Sequence, residues 1–171
     1  MKKIKIFFFI LVICFSKISY SAEKSEVFDG KGGREDESFL NKKDSNFKKG
    51  NNALKQSFKL KKKNKIKKAN KRLEKALSYF ISANKETPGN VKILNQLGYS
   101  FYLVGDLIMS EIYYQEALDI DPKNILINQR LGELYINTNR VDLAEERLKI
   151  LANCSCQEYT KLKEIILSKK N

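Results

Sequence analysis

The chain resembles itself at a distance of 34 residues along the sequence. A shift of this length superposes Leu97-Gly98 on Leu131-Gly132 and Phe101 on Tyr135. Further pairs at the same spacing are Ser110 with Ala144, Tyr114 with Leu148, Ala76 with Ser110, Phe80 with Tyr114, Ala83 with Ala117 and Pro88 with Pro122. An internal period of this length predicts a stack of similar units, each of which buries its apolar face against the next.

Within each unit the apolar residues recur at helical spacing. Between positions 66 and 81 they follow one another mainly at steps of three and four, which places them on one helix face. This helix is predicted to stop at Thr87-Pro88-Gly89, because proline and glycine interrupt helices. Further breaks are predicted near Gly105-Asp106, Asp121-Pro122 and residues 137–140. No stretch alternates apolar and polar residues as a half-buried strand does, so the predicted fold class is all-α.

The order Leu-Gly, an aromatic residue, a small residue, a second aromatic residue and proline resembles the tetratricopeptide repeat (TPR). The match is complete over residues 91–124 and diverges at the end of residues 125–158, where Cys156 stands in place of proline. The resemblance implies a short α-solenoid of TPR helix-turn-helix pairs, with residues 159–171 as a C-terminal capping helix. The chain is also similar to small exported TPR proteins of Gram-negative bacteria.

Residues 45–90 are predicted to be a basic, degenerate first TPR, because only the second helix of that unit matches the pattern. Lys63 and Asn64 stand where the period requires Leu-Gly, and they cannot form a tightly packed crossing. Two arrangements follow from this mismatch. Either the first helix lies earlier, around Phe47 to Leu60, and a basic insertion joins it to the second, or the whole segment is one long basic helix.

The amino terminus has the pattern of a secretory signal peptide over residues 1–22. Three lysines precede an apolar run at positions 6–15, and small residues follow. Cleavage near Ser21 or Ala22 would deliver the protein to the periplasm or the exterior, while an uncleaved segment would act as an anchor. Residues 23–44 are polar and contain three glycines, which predicts a disordered linker.

Positive charge is concentrated in residues 42–72, which contain 14 Lys/Arg residues and a single acid. Three interpretations remain open: a solvated helix face, a surface for an acidic partner or anionic membrane, and a nucleic-acid site. Nucleic acid is the least expected, because export separates the chain from it and no aromatic residue interrupts Lys59 to Arg72. The predicted anionic-partner patch comprises Lys61, Lys62, Lys63, Lys65, Lys67 and Lys68.

The resemblance to TPR proteins implies a concave groove lined by the first helix of each unit, where a peptide or helix of a partner protein binds. Helical spacing places six residues on its groove side: Asn95, Tyr99, Tyr102, Gln129, Glu133 and Asn137. Alternatively, these side chains only solvate the inner wall. The carboxylate clamp of some TPR modules is not matched. The function expected is therefore non-catalytic protein binding in the bacterial cell envelope, with homo-oligomerisation left open.

The chemistry-bearing residues do not indicate an enzyme. The sequence contains no histidine, so the usual catalytic triads cannot form, and neither a metal nor a cofactor is expected. Cys154 and Cys156 are the cysteines outside the signal sequence. In an oxidising compartment they could form a disulfide, and the alternatives are free thiols or, with less support, a redox or metal role.

Overall fold

The computed structural model describes residues 35–170, and within them the chain forms seven α-helices without a strand. Their bounds are α1 (Glu35–Lys62), α2 (Ile66–Glu86), α3 (Val91–Val104), α4 (Leu107–Ile120), α5 (Ile125–Asn137), α6 (Val141–Leu151) and α7 (Gln157–Lys170). Consecutive helices pack as a first pair (α1, α2), a second pair (α3, α4) and a third pair (α5, α6), and α7 packs on α5 and α6. The predicted all-α solenoid is confirmed.

The beginning of α1 corrects the predicted linker. The helix starts at Glu35, so residues 35–44, assigned to a disordered linker, are helical. All three glycines of the linker assignment precede Glu35, and residues 35–49 contain neither glycine nor proline to interrupt a helix. The predicted signal peptide (residues 1–22) and the remaining linker residues 23–34 lie outside the described residues.

Three helices of the second and third pairs begin at side-chain caps. Asn90 accepts hydrogen bonds from the backbone N–H groups of Lys92 and Ile93 at 3.0 and 3.3 Å. Asp106 caps α4 by accepting a hydrogen bond from the backbone N–H of Met109. Asn124 caps α5 in the same way through the N–H of Ile127. Each cap satisfies N–H groups that the helix itself leaves without a partner. The breaks predicted from glycine and proline therefore coincide with capped helix starts.

All three pairs turn through the same backbone motif. Asn64, Gly105 and Asn139 each have a positive φ, of 55°, 90° and 61°. Each of these residues donates its N–H to the carbonyl three positions back, and the following N–H bonds to the carbonyl five positions back. This is the hydrogen-bond pattern of a Schellman turn, in which glycine and asparagine are favoured at the left-handed position. Asn64 therefore ends α1, and of the two predicted arrangements the structure has the pair of helices.

Helices within the first and second pairs cross at a glycine. A Cβ atom on Gly98 would lie 2.6 Å from ring atoms of Tyr114, which is buried between α3 and α4. In the first pair, a Cβ atom on Gly50 would lie 2.5 Å from the ring of Phe80. The 34-residue spacing places the crossing residue of the first pair at Asn64. In the structure Gly50 occupies the crossing instead. The absence of a side chain at these positions is what allows the two helices to approach.

Gly132 departs from the expected crossing. At the 34-residue spacing Gly132 corresponds to Gly98, which contacts Tyr114 on the second helix of its own pair. Instead its close neighbour is Leu162 of α7, which a Cβ atom would approach to 2.6 Å. Leu162 is fully buried, so α7 covers the apolar end of the solenoid through this contact.

The buried apolar residues form two clusters joined by half-buried tyrosines. One cluster centres on Phe80 and Leu97, and the other contains Tyr114 and Leu131. Tyr99, among others, packs against both. Among the described residues, no helix combines the length and apolar composition needed to cross a membrane. The continuous core therefore fixes the relative positions of the helices that carry the candidate site.

Candidate peptide-binding face

The first helices of the three pairs and α7 form one side of the solenoid, here called the inner face. Phe58 of α1 lies against Tyr99 of α3, with ring centroids 6.3 Å apart. The amide of Gln96 on α3 donates a hydrogen bond to Asn51 Oδ1 on α1 at 2.8 Å. These contacts connect α1 to α3 directly, so the inner face begins in the first pair.

Arg130 of α5 connects the second and third pairs. Its guanidinium carbon lies 4.2 Å from the ring centroid of Tyr99, in the geometry of a cation–π contact. Its Nη1 donates to Asn95 Oδ1 at 2.8 Å. Both contacts orient the planar guanidinium. It has five N–H donors, so donors remain after the hydrogen bond to Asn95 is made.

Two further pairs of polar side chains join neighbouring inner helices. Asn137 of α5 donates a hydrogen bond to the hydroxyl of Tyr102 on α3. Glu133 of α5 forms a salt bridge of 2.8 Å with Lys161 of α7. The helix that closes the solenoid therefore also contributes a charged residue to the inner face.

A pocket of about 190 Å³ opens on this face between α3, α5 and α7. Gln129 lies in its wall with 3% of its surface exposed, and its Nε2 has no acceptor among the described residues. A buried amide donor of this kind needs an oxygen, either from water or from a ligand. The pocket is lined by Tyr99, Tyr102, Tyr114, Leu126, Gln129, Arg130, Glu133 and Lys161.

Burial and charge determine which groups the pocket offers. Burial, followed by the nearby carboxylate of Glu133, raises the pKa of Tyr102 above its ordinary value. Burial also raises the pKa of Tyr114, so both phenols are neutral donors at physiological pH. Arg130 and Lys161 supply two positive charges against the one negative charge of Glu133. The pocket is thus rich in donors and suits an oxygen-bearing, negatively charged group.

The structure divides the six predicted groove residues into two sets. Four of them line the pocket and two are engaged beside it in contacts between helices, Asn95 with Arg130 and Asn137 with Tyr102. Their role in binding stays a prediction. The four lining residues are Tyr99, Tyr102, Gln129 and Glu133.

Sequence reasoning missed Arg130, Lys161, Leu126 and Tyr114 as pocket residues. A signal for the first existed, because Arg130 and Asn95 are separated by 35 positions, one more than the period. The Tyr102–Asn137 pair has the same separation. Residues separated by 35 positions, one more than the 34-residue period, thus face each other across neighbouring first helices. Lys161 had no such signal, since α7 stands outside the repeated segment.

The predicted anionic-partner patch lies at the turn of the first pair. Lys61 and Lys62 are in the last turn of α1, and Lys63 and Lys65 flank Asn64. Lys67 and Lys68 follow in the first turn of α2, and all six lysines are exposed. They are some distance along the helices from the crossing of Gly50 with Phe80 and take no part in the pocket lining.

Cys154 and Cys156 lie between α6 and α7, and their sulfur atoms are at bonding distance, as in a disulfide. The half-buried Cys154 side chain packs against the core cluster that includes Leu162. Among the described residues no group of three or more Cys, Asp, Glu or His residues could hold a metal ion. The cysteine pair is therefore placed to fix the turn into α7.

Comparisons with known proteins agree with this architecture. Two tetratricopeptide-repeat models match the chain, one over residues 91–124 and the other over residues 113–159. The chain thus carries tetratricopeptide repeats in its second and third pairs. No curated protein sequence matches the chain significantly.

Solved structures with similar folds include the first TPR domain of Spaghetti (RPAP3) bound to an HSP90 peptide, with a TM-score of 0.53 and 13% identity. That match covers 72% of this chain and 95% of the other. The Arabidopsis OM64 TPR domain has a TM-score of 0.54 and 16% identity, covering 72% and 98%. The Yersinia enterocolitica type III secretion translocator chaperone SycD has a TM-score of 0.53 and 15% identity, covering 70% and 82%. At these identities the similarity concerns the fold.

Proposed function

Because the described helices form a solenoid with tetratricopeptide repeats, we propose that this protein is a non-catalytic interaction module that binds an extended, acidic peptide segment of a partner protein. The segment lies on the inner face, across α3, α5 and α7. The observation that carries this proposal is the buried Gln129 amide, which has no acceptor among the described residues and lines a pocket beside Arg130 and Lys161.

The donors of the pocket suit the backbone and side chains of a peptide. Gln129 can donate from Nε2 to a main-chain carbonyl, and the N–H groups of Arg130 that Asn95 does not use can donate to a carboxylate. Tyr102 supplies a flat, half-buried surface on which a side chain packs with little loss of conformational freedom. An acidic residue of the peptide would sit between Arg130 and Lys161.

Structural neighbours support peptide binding as the class of function. The RPAP3 domain was solved with an HSP90 peptide, and SycD was solved in complex with a peptide of the translocator YopD. Both share the fold of this chain at 13–14% identity. The acidic peptide proposed as the partner of this protein is inferred from the residues of its own pocket, and not from the peptides bound by RPAP3 and SycD.

The proposed site of action is the periplasm or the bacterial cell envelope. The support is the pattern of residues 1–22, where lysines, an apolar run and small residues follow in the order of a secretory signal. Fractionation of cells that express the full chain tests this part. A mature protein starting near Glu23 in the periplasmic fraction is expected, and full-length protein in the cytosol would contradict it.

Peptide binding is tested by panning a displayed library of random peptides on the full chain and measuring the enriched peptides by fluorescence polarisation. We expect the selected peptides to be enriched in Asp and Glu. Arg130→Gln should raise their Kd about 10- to 100-fold, since it removes a hydrogen bond to a charged group.

A matched pair of lysine variants provides the control. Lys161→Gln should weaken binding, whereas Lys149→Gln, which removes the same charge from an exposed position on α6, should not. Selected peptides without acidic residues, bound equally well by Arg130→Gln and the unaltered chain, would refute the proposal.

A further inference from the structure

Between its crossing and its turn, each helix of the first pair is longer than the corresponding helix of the second pair by two turns. From the crossing glycine to the turn residue there are seven positions in α3 (Gly98 to Gly105) but 14 in α1 (Gly50 to Asn64). The second helix is extended equally, since Phe80 follows Asn64 by 16 positions and Tyr114 follows Gly105 by nine. Seven residues make about two helical turns and about 10 Å of length.

This extension concentrates positive charge. Residues 51–72 contain ten Lys/Arg residues and no acidic residue. None of the salt bridges formed by the described residues involves them. Ala53, Leu54 and Ser57 are buried near the crossing, but among residues 59–72 only Ala69 is buried, so the tip adds little to the core. Packing alone does not account for a lengthened hairpin with this composition.

The charges radiate from the tip in several directions. Lys61, Lys62, Lys67 and Lys68 occupy consecutive positions near the ends of two antiparallel helices, and consecutive helical positions point about 100° apart. A peptide or helix lying on one side would reach a fraction of them. A broad anionic surface with mobile headgroups can neutralise charges around a protruding tip. Ile66 is 45% exposed among these lysines and can enter the headgroup layer.

We propose that the tip of the first pair, residues 59–72, docks on an anionic phospholipid membrane. The attraction is the summed charge of the lysines, each contributing roughly fivefold to membrane partitioning, and Ile66 adds a shallow apolar contact. The pocket between α3, α5 and α7 lies on other helices of the solenoid and remains open to a peptide. This inference does not depend on the peptide site.

The test is cosedimentation of the full chain with phosphatidylcholine vesicles, with and without phosphatidylglycerol. Binding is expected with phosphatidylglycerol and not without it, and should be lost at about 0.5 M salt, where the screening length is a few ångströms. A variant with six Lys→Gln changes should partition at least about 100-fold less. Glutamine has a helix propensity close to that of lysine. The six changes are at Lys61, Lys62, Lys63, Lys65, Lys67 and Lys68.

A charge-matched variant excludes a general effect of net charge. It carries six Lys→Gln changes at exposed positions elsewhere and should bind vesicles nearly as the unaltered chain does. Equal loss in both variants would overturn the proposal, as would equally tight binding to polyglutamate or to a DNA duplex through the same lysines. Arg130→Gln should leave vesicle binding unchanged, which separates this test from that of the peptide site. The control positions are Lys85, Lys92, Lys123, Lys149, Lys163 and Lys169.

Discussion

In the first helix pair the ring of Phe80 covers Gly50, and in the second pair the ring of Tyr114 covers Gly98. The two pairs share this crossing and the Schellman turn that closes them. They differ beyond the crossing, where the first pair extends two turns further and ends in exposed lysines. The second pair ends seven residues after its crossing, at Gly105.

The difference shows which part of a helical repeat is constrained. Packing at the crossing fixes the two helices, whereas length beyond it can change by whole turns, because a whole turn restores the same buried face. Seven additional residues in each helix meet this condition closely. An insertion that obscures the sequence period therefore leaves the fold intact and provides a separate charged surface.

The largest expected effect is on folding cooperativity, when the helices of the first pair are shortened by lengths that are not whole turns. Removing residues 57–63 together with residues 65–71 deletes two turns from each helix and should leave a cooperative urea transition, weakened by about 2 kcal/mol. Removing residues 55–63 with 65–69 deletes the same number of residues and of lysines but not whole turns. This second variant should lose its cooperative transition. Equal behaviour of the two deletions would show that helical register is not what the insertion preserves.

Gly50 and Gly98 should contribute equally to the stability of the fold, although only Gly98 fits the 34-residue period. Gly50→Val and Gly98→Val each force a side chain into a buried aromatic ring, which should cost about 3 kcal/mol of unfolding free energy. Gly105→Asn is the control, since its site is open and asparagine tolerates the left-handed backbone. Denaturant unfolding provides the measurement. A nearly neutral Gly50→Val would mean that the first pair does not cross as the second does.

The turns at the two ends of the solenoid differ in whether a cysteine pair links them. The first pair turns through Asn64 without a covalent link, whereas the turn into α7 holds Cys154 and Cys156. Exported protein should have a mass two daltons below the reduced value, which a freely alkylatable pair would contradict. Replacing both cysteines by serine should lower the unfolding free energy by about 1–2 kcal/mol, because a loop this short restricts the unfolded chain little.

A smaller effect at high pH should distinguish the two crossings. Burial raises the pKa of Tyr114, so its neutral form is favoured in the folded state. The unfolded chain ionises at about pH 10, and stability is therefore lost as pH rises above that value. Phe80 has no such group. Tyr114→Phe should reduce the loss by about 1.4 kcal/mol at pH 11, and an unchanged alkaline profile would place the ionisation elsewhere.

The sequence was sufficient to predict the fold because the crossing, the turns and the helix spacing recur at one period. Gly50 escaped detection because the insertion displaces it by 14 positions from the repeat. Half of the pocket was accessible from the spacing of the first helices, as for Gln129 and Glu133. Lys161 was not, because its position depends on how α7 packs against Gly132, a contact between an element inside the period and one outside it.

The two surfaces are separate in this account, and the peptide selected on the full chain can test that directly. Its Kd should be measured with the variant that carries the six Lys→Gln changes of the tip, which lacks the basic charges but retains Phe58, Arg130 and Lys161. A Kd within about threefold of the value for the full chain is predicted. A Kd raised tenfold or more, in a variant that still unfolds cooperatively, would show that the peptide binds the extended hairpin and not the inner face.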